Sequence, residues 1–238
     1  MTTISTSPRP VLSIEGGTLA LGGRTLWHDL DLDVTPGEIV AVLGPNGSGK
    51  SSLLKVILGQ LRLAQGRARL LGEPVRRGDP RIGYIPQQRI IPAGVPLLGR
   101  ELVALGANGH RFGLPVTPRV ERDRVDALVH AVGATAYARR PVGLLSGGEQ
   151  QRLRAAQALA GEPRLLLADE PLLSLDTEAQ RVISGLIDRE RRERGLAVVF
   201  VTHDLGPIST YVDRVLSFGE EAHVHPHHEV HEGAEASA

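Results

Sequence analysis

One stretch of sequence decides the fold of this chain, GPNGSGKS at residues 44–51. It fits the phosphate-binding pattern G-x-x-x-x-G-K-[ST], and it lies between an apolar run at 39–43 and a helix-like stretch at 52–58. This is the strand, loop and helix context that the pattern requires. Glycines let the backbone curl until successive N–H groups point inward at a helix N-terminus, where they bind anionic oxygens. We therefore predict a nucleotide phosphate site, with Lys50 reaching the terminal phosphates and the Ser51 hydroxyl binding Mg²⁺.

Length, charge and cysteine content limit the possible functions. The 238 residues can bury one substantial core, or one core plus a smaller satellite subdomain. We predict one functional domain at 11–217, an N-terminal extension at 1–10 and a histidine-rich, flexible tail at 222–238. Basic and acidic residues number 27 each, so the charge balance argues against a nucleic-acid partner. The chain lacks cysteine, which suits a cytosolic protein, and we expect any membrane association to come through another chain.

The pattern of apolar residues predicts an α/β fold with three parts. Residues 11–35 and 67–71 are typical of antiparallel strands separated by glycine turns. The apolar runs at 165–168 and 198–201 are typical of buried strands in a parallel sheet. Between about 88 and 160 the pattern becomes helical, which predicts an inserted helical subdomain.

Polar residues follow both buried apolar runs. Asp169 and Glu170 come directly after the first run, and Thr202, His203 and Asp204 come directly after the second. Because ligands bind beyond the carboxyl ends of parallel strands, these residues should share an edge with the phosphate-binding loop. We predict that Asp169 holds Mg²⁺, directly or through water, and that Glu170 positions and deprotonates the attacking water. Two solvated acids at an ordinary strand end are the alternative, which the phosphate-binding loop disfavours.

The string LSGGEQQR at 145–152 is a second candidate anion-binding feature. Ser146 and Glu149 form an S-x-x-E capping box that opens an amphipathic helix. A capping box does not require Gly147 and Gly148, which leave bare N–H groups at the positive end of the helix dipole. A second phosphate-binding surface in one chain suggests that two chains meet across a shared nucleotide.

With these motifs the chain resembles the ATP-binding cassette (ABC) family of transport ATPases over nearly its whole length. GPNGSGKS resembles the Walker A loop, LSGGEQQR the signature motif, and LLLADE at 165–170 the Walker B strand. The resemblance implies an α/β P-loop NTPase of the ABC ATPase fold, with a parallel-sheet core, an antiparallel β-subdomain and a helical subdomain. It also implies ATP hydrolysis coupled to transmembrane transport, with ATP and Mg²⁺ as the bound cofactors.

The resemblance assigns roles to individual residues. Glu170, His203 and Gln87 are the implied catalytic residues, with Gln87 in the Q-loop and His203 as the switch histidine at the γ-phosphate. Residues 174–176 resemble the D-loop. The implied Mg²⁺ ligands are Ser51, Gln87 and Asp169. The implied ATP-binding residues are Gly44, Pro45, Asn46, Gly47, Ser48, Gly49, Lys50, Ser51, Ser52, Ser146, Gly147, Gly148 and Asp176.

The resemblance also implies partners and a location. Two nucleotide-binding domains would form a head-to-tail homodimer, in which each ATP lies between the Walker A loop of one chain and the signature motif of the other. The dimer would drive separate integral-membrane permease subunits, with an extracytoplasmic solute-binding protein in the same complex. The chain would then sit at the cytoplasmic face of the cell membrane, bound peripherally through the permease.

Within the family, residues 95–106, 169–176 and 202–216 resemble the zinc/manganese importer branch, although siderophore and cobalamin importers share much of this pattern. A soluble single-cassette ABC ATPase and a regulatory ATP-binding module without turnover are alternatives; the intact Glu170 argues against the second. Leu21 stands where the family usually has an aromatic residue that stacks on adenine, so weak base selectivity is a hypothesis. Five histidines between His223 and His231 could bind Zn²⁺ or Ni²⁺, or could form a polar end that binds metal adventitiously.

Overall fold

The computed structural model describes residues 9–87, 90–109, 118–173, 175–218 and 222–226. The first part of the fold is an antiparallel sheet of β1 (Leu12–Leu21), β2 (Arg24–Val34), β4 (Gln65–Leu70) and β5 (Glu73–Pro74), in the order β2-β1-β4-β5. Two glycines with φ of 60° and 80° make the tight turn between β1 and β2, because glycine enters this region of backbone space without strain. The predicted antiparallel strands at 11–35 and 67–71 are confirmed.

The second part is a mixed sheet with a parallel centre. It contains β3 (Ile39–Leu43), β6 (Ile82–Ile85), β7 (Leu165–Asp169), β8 (Ala197–Val201), β9 (Arg214–Phe218) and β10 (Ala222–Pro226), in the order β10-β9-β3-β8-β7-β6. All neighbouring pairs from β9 to β6 are parallel, and β10 pairs antiparallel with β9. Every residue of β7 and β8 is buried, as expected for strands covered on both faces.

The helices are α1 (Lys50–Ile57), α2 (Gly99–Asn108), α3 (Arg119–Ala131), α4 (Gly147–Ala160) and α5 (Thr177–Arg194). Helices α2, α3 and α4 pack against one another, and α4 also contacts β6 and α5. This arrangement agrees with the predicted helical subdomain, whose limits near 88 and 160 stay a prediction. Among the described residues, no helix is both long enough and apolar enough to cross a membrane.

Alternate residues of the parallel strands serve two different cores. On β8, Val198 and Phe200 belong to the core formed with the helices, whereas Val199 and Val201 belong to the core formed with α1 and the antiparallel sheet. This division follows from the two-residue period of a strand, which turns successive side chains to opposite faces. The parallel sheet is therefore the middle layer between two cores, with the loops at its edges.

The flexibility predicted for the tail from residue 222 stays a prediction, although the structure pairs its first five residues in the mixed sheet. These residues form β10, which pairs with β9 in a register that runs from Ala222 opposite Phe218 to Pro226 opposite Arg214. The reason is that the outer edge of β9 offers unpaired main-chain N–H and C=O groups, and a following segment can satisfy them whatever its composition. The rest of the predicted tail and most of the extension at 1–10 lie outside the described residues.

Candidate functional site

The phosphate-binding loop connects the end of β3 to the start of α1 and requires glycine for two reasons. Gly44 and Gly49 have φ of 148° and 103°, in the region where side chains cause strain. A Cβ atom on Gly44 would also lie 2.5 Å from the carbonyl oxygen of Phe218, and one on Gly49 would lie 2.8 Å from Cδ1 of the buried Trp27. One side of the loop thus packs against β9 and β2, and its other side lines a cleft.

Lys50 is the first residue of α1 and is held at the mouth of this loop. Its side chain is largely buried, and Nζ donates hydrogen bonds to the carbonyl oxygens of Gly44 at 2.6 Å and Pro45 at 2.8 Å. An ammonium group that is bonded to loop carbonyls has given up much of its hydration already. It can exchange these neutral acceptors for phosphate oxygens, which form stronger charge-assisted bonds.

Ser51 and Asp169 bring two oxygen atoms together beside the loop. The Ser51 hydroxyl donates to Oδ1 of Asp169 at 3.4 Å. Burial raises the pKa of the Asp169 carboxyl, and the neighbouring Glu170 raises it further, while the Ser51 hydrogen bond and Lys50 lower it. A hydroxyl and a carboxylate are the oxygen ligands that Mg²⁺ prefers, and a cation there would relieve the cost of the buried charge. These residues therefore fit a magnesium ion.

Glu170 lies at the end of β7 with an unusual backbone. Its φ is 47°, and its N–H donates to the carbonyl oxygen of Val201 at 2.9 Å. The carboxylate oxygen Oε1 lies 3.8 Å from Nδ1 of His203, and the Glu170 side chain is 14% exposed while that of His203 is 56% exposed. The structure therefore places a mostly buried carboxylate between the phosphate-binding loop and an accessible imidazole.

A single cleft of about 200 Å³ collects most of the predicted site residues. Glu170 lines both this cleft and a smaller one of about 90 Å³ that contains His203. The sequence analysis missed two apolar residues of the larger cleft, Leu26 and Val201. Leu26 precedes the buried Trp27 on β2, so strand alternation could have indicated that it faces the other way. The residues lining the larger cleft are Leu26, Asn46, Gly47, Gly49, Lys50, Ser51, Ser52, Gln87, Asp169, Glu170 and Val201.

The predicted signature residues lie elsewhere, at the start of α4. Ser146 Oγ accepts a hydrogen bond from the Glu149 N–H at 3.3 Å, and the Glu149 carboxylate accepts one from the Ser146 N–H at 2.7 Å. This is the predicted capping box. Ser146, Gly147 and Gly148 are not among the residues that line the cleft of their own chain.

Asp176, the last residue of the predicted D-loop, caps helix α5. Its Oδ1 atom accepts a hydrogen bond from the Ala179 N–H at 2.7 Å and lies 4.0 Å from an Arg152 nitrogen. The carboxylate thus has a structural use, and its predicted contribution to ATP binding stays a prediction. Ser174 lies outside the described residues.

We expect Asp169→Asn to stabilise the nucleotide-free protein. Because the pKa in the folded protein lies above the ordinary value of 3.8, the stability that Asp169 contributes is present below that value and is lost as the pH rises through the folded-state pKa. At pH 7 the amide should therefore raise the melting temperature, by about 2–4 °C if the gain is near 1 kcal/mol. Thermal melts from pH 3 to pH 7 check this, since the gain should shrink at acid pH.

Asp126→Asn is a control for which we expect the opposite change in melting temperature. A hydrogen bond from Arg100 lowers the pKa of Asp126, so the ionised form stabilises the folded protein. The Asp126 variant should melt slightly lower than the wild-type chain at pH 7. A lower melting temperature for the Asp169 variant as well would contradict the burial argument.

Comparison with known proteins identifies the class. Residues 27–173 match the ABC transporter family, and the chain belongs to that family. It is 33% identical over 212 residues to the manganese transport system ATP-binding protein MntB of Halalkalibacterium halodurans, covering 89% of this chain and 84% of that protein. It is 34% identical over 205 residues to the zinc transport system ATP-binding protein TroB of Treponema pallidum, covering 86% and 77%.

A solved structure of an ATP-binding cassette has a similar fold. The fold matches a dimeric post-hydrolysis state of the ATP-binding cassette MJ0796 bound to ADP and Pi, with a TM-score of 0.77 and 27% identity over 90% of this chain and 98% of that one. The predicted P-loop ABC ATPase fold is confirmed. The chain is the ATP-binding, ATP-hydrolysing subunit of an ABC transporter, as the motifs predict.

Proposed function

We propose that this subunit powers the import of a divalent metal ion, manganese or zinc. The support is the similarity to ATP-binding proteins of a manganese and a zinc transport system, which extends over more than four fifths of this chain. A siderophore or cobalamin importer is the alternative, because these importers share much of the same sequence pattern. The ion itself is the cargo of the permease and does not enter the ATPase site.

We propose that Glu170 is the general base for ATP hydrolysis. The observation that carries this is the position of its carboxylate, which lines the cleft of the phosphate-binding loop and lies 3.8 Å from His203. Glu170 takes a proton from water while the water oxygen attacks the γ-phosphorus and the bond to the ADP oxygen breaks. Lys50 would contact the terminal phosphates, and His203 would contact the γ-phosphate.

Ser51, Asp169 and Gln87 would hold Mg²⁺ in the same cleft. The support is the Ser51–Asp169 pair at 3.4 Å and the presence of all three residues in the cleft lining. When bound, the ion neutralises charge that develops on the phosphate oxygens. Gln87 lies just after β6 and would complete the oxygen ligands from that side.

The active assembly that we propose is a head-to-tail homodimer on a membrane permease. Ser146, Gly147 and Gly148 open α4 outside the cleft of their own chain, so they would meet the nucleotide of a second copy. Asp176 would approach the same shared nucleotide. The dimer would sit at the cytoplasmic face of the membrane with integral-membrane permease subunits and an extracytoplasmic solute-binding protein.

Total cellular zinc and manganese test the transport proposal. In a strain that lacks this gene and grows under metal limitation, one of the two metals should fall. The wild-type chain should restore it and the Glu170→Gln chain should not, because import needs hydrolysis. A strain with normal amounts of both metals would contradict metal import, and the membrane protein that copurifies with the chain would then indicate the substrate.

A further inference from the structure

The backbone of Glu170 is strained, and the surrounding structure must hold it in place. A φ of 47° is left-handed, a region that a residue with a side chain occupies only where tertiary contacts impose it. Two main-chain bonds act directly on Glu170: its N–H donates to Val201 O at 2.9 Å, and its carbonyl accepts from the Leu173 N–H at 3.2 Å. The first of these bonds ties the turn at 170–173 to β8. Holding the strained backbone also requires contacts to the rest of the turn.

Two glutamine side chains supply those contacts. Nε2 of Gln151, on α4, donates to the carbonyl oxygen of Pro171 at 3.1 Å. Nε2 of Gln180, on α5, donates to the carbonyl oxygen of Leu172 at 3.3 Å. Proline has no N–H, so this carbonyl is the only main-chain hydrogen-bonding group next to Glu170 on that side. Each glutamine thus ties one peptide unit of the turn to a different helix.

Gln151 is the better placed of the two to control Glu170. It bonds the residue directly after Glu170, and it is 1% exposed, so water cannot readily replace its N–H. Its Oε1 atom is buried with no hydrogen-bond partner among the described residues, so the bond to Pro171 is the one use of this amide that the structure records. Burying an amide with an unpaired oxygen costs free energy, and an apolar side chain would fill the same space without that cost. The presence of glutamine here therefore favours a role for its N–H group.

We propose that Gln151 is a positioning residue that holds Glu170 in the geometry needed for hydrolysis. This rests on the proposed role of Glu170 as the general base. Helix α4 begins at Gly147, so Gln151 lies about one turn beyond the signature glycines. In the proposed dimer, the start of α4 meets the nucleotide of the partner chain while Gln151 orients the base of its own chain. One rigid helix turn would thereby connect the two ATP sites.

Gln151→Met tests this by removing the donor while keeping an unbranched side chain. We expect kcat to fall about tenfold, which is the rate effect of roughly one hydrogen bond that acts only on the reacting geometry. The affinity for ATP should change by less than about twofold, because the phosphate-binding loop is untouched. Gln180→Met removes the equivalent bond one residue further from Glu170 and should reduce kcat less.

A double-mutant cycle separates positioning from general damage. In the Glu170→Gln background, Gln151→Met should cause no further fall in the residual rate, because it acts through a carboxylate that is already gone. Equal fold-losses in both backgrounds, or an unchanged kcat for folded Gln151→Met, would overturn the proposal. Rapid turnover by Glu170→Gln alone would instead refute Glu170 as the base.

A second variant covers the case in which Gln151→Met does not fold. Gln151→Asn keeps a buried amide, but its side chain is one methylene too short to reach the Pro171 carbonyl. It should show the same loss of kcat and should melt a few degrees lower, because the shortened amide is left buried without a hydrogen bond. Wild-type kcat in this variant would also overturn the proposal.

Discussion

Glu170→Gln should slow steady-state ATP hydrolysis to a small residual rate while leaving ATP binding intact. The amide has nearly the shape of the carboxylate but cannot accept the proton of the attacking water, and loss of a general base costs about 10²- to 10⁴-fold in rate. The Glu170 side chain is mostly buried and lines the cleft of the phosphate-binding loop, so the substitution changes the group that faces the attacking water. Phosphate release measures the rate, and titration with ATP measures binding.

The same variant should accumulate an ATP-bound dimer, because the bridge that hydrolysis removes would persist. Size-exclusion chromatography with and without ATP reveals this species. Glu178→Gln is the matched control: Glu178 is an exposed acid in the first turn of α5, and its replacement should leave the rate near that of the wild-type chain. Rapid turnover by Glu170→Gln would show that another group accepts the proton.

The parts of the fold that sequence predicted are those specified by local pattern. The phosphate-binding loop, the capping box of α4 and the wholly apolar strands β7 and β8 each carry their signal within a few consecutive residues. The placement of Asp169 and Glu170 beside that loop followed from one topological rule, since parallel strands end at a common edge.

The parts that sequence did not predict depend on contacts between distant segments. Strand β6 has only four residues, including a glycine, and forms because β7 offers it a parallel edge. Strand β10 pairs through its main chain, which composition does not report. The left-handed backbone of Glu170 is imposed by bonds from β8 and from the two glutamine side chains, so nothing in the sequence around it indicates that geometry.

Lys50→Ala should weaken ATP binding by about 10- to 100-fold. A hydrogen bond to a charged group contributes about 1.5–3 kcal/mol, and each 1.4 kcal/mol is a factor of ten in affinity. The ammonium already lies within 2.8 Å of two loop carbonyls, so it needs little rearrangement to meet phosphate oxygens. Calorimetric titration with ATP measures the affinity directly, without the need for turnover.

The loss of Lys50 should be specific to its place at the loop. Lys55 lies on the same helix, in its last turn, and is exposed, so Lys55→Ala removes the same charge from α1 without touching the loop. That variant should bind ATP nearly as the wild-type chain does, because solvent and salt screen the exposed Lys55 charge from the nucleotide. Similar losses in both variants would mean that net charge, and not the Lys50 contact, attracts the nucleotide. Unchanged binding by Lys50→Ala would contradict the assignment of this loop as the phosphate site.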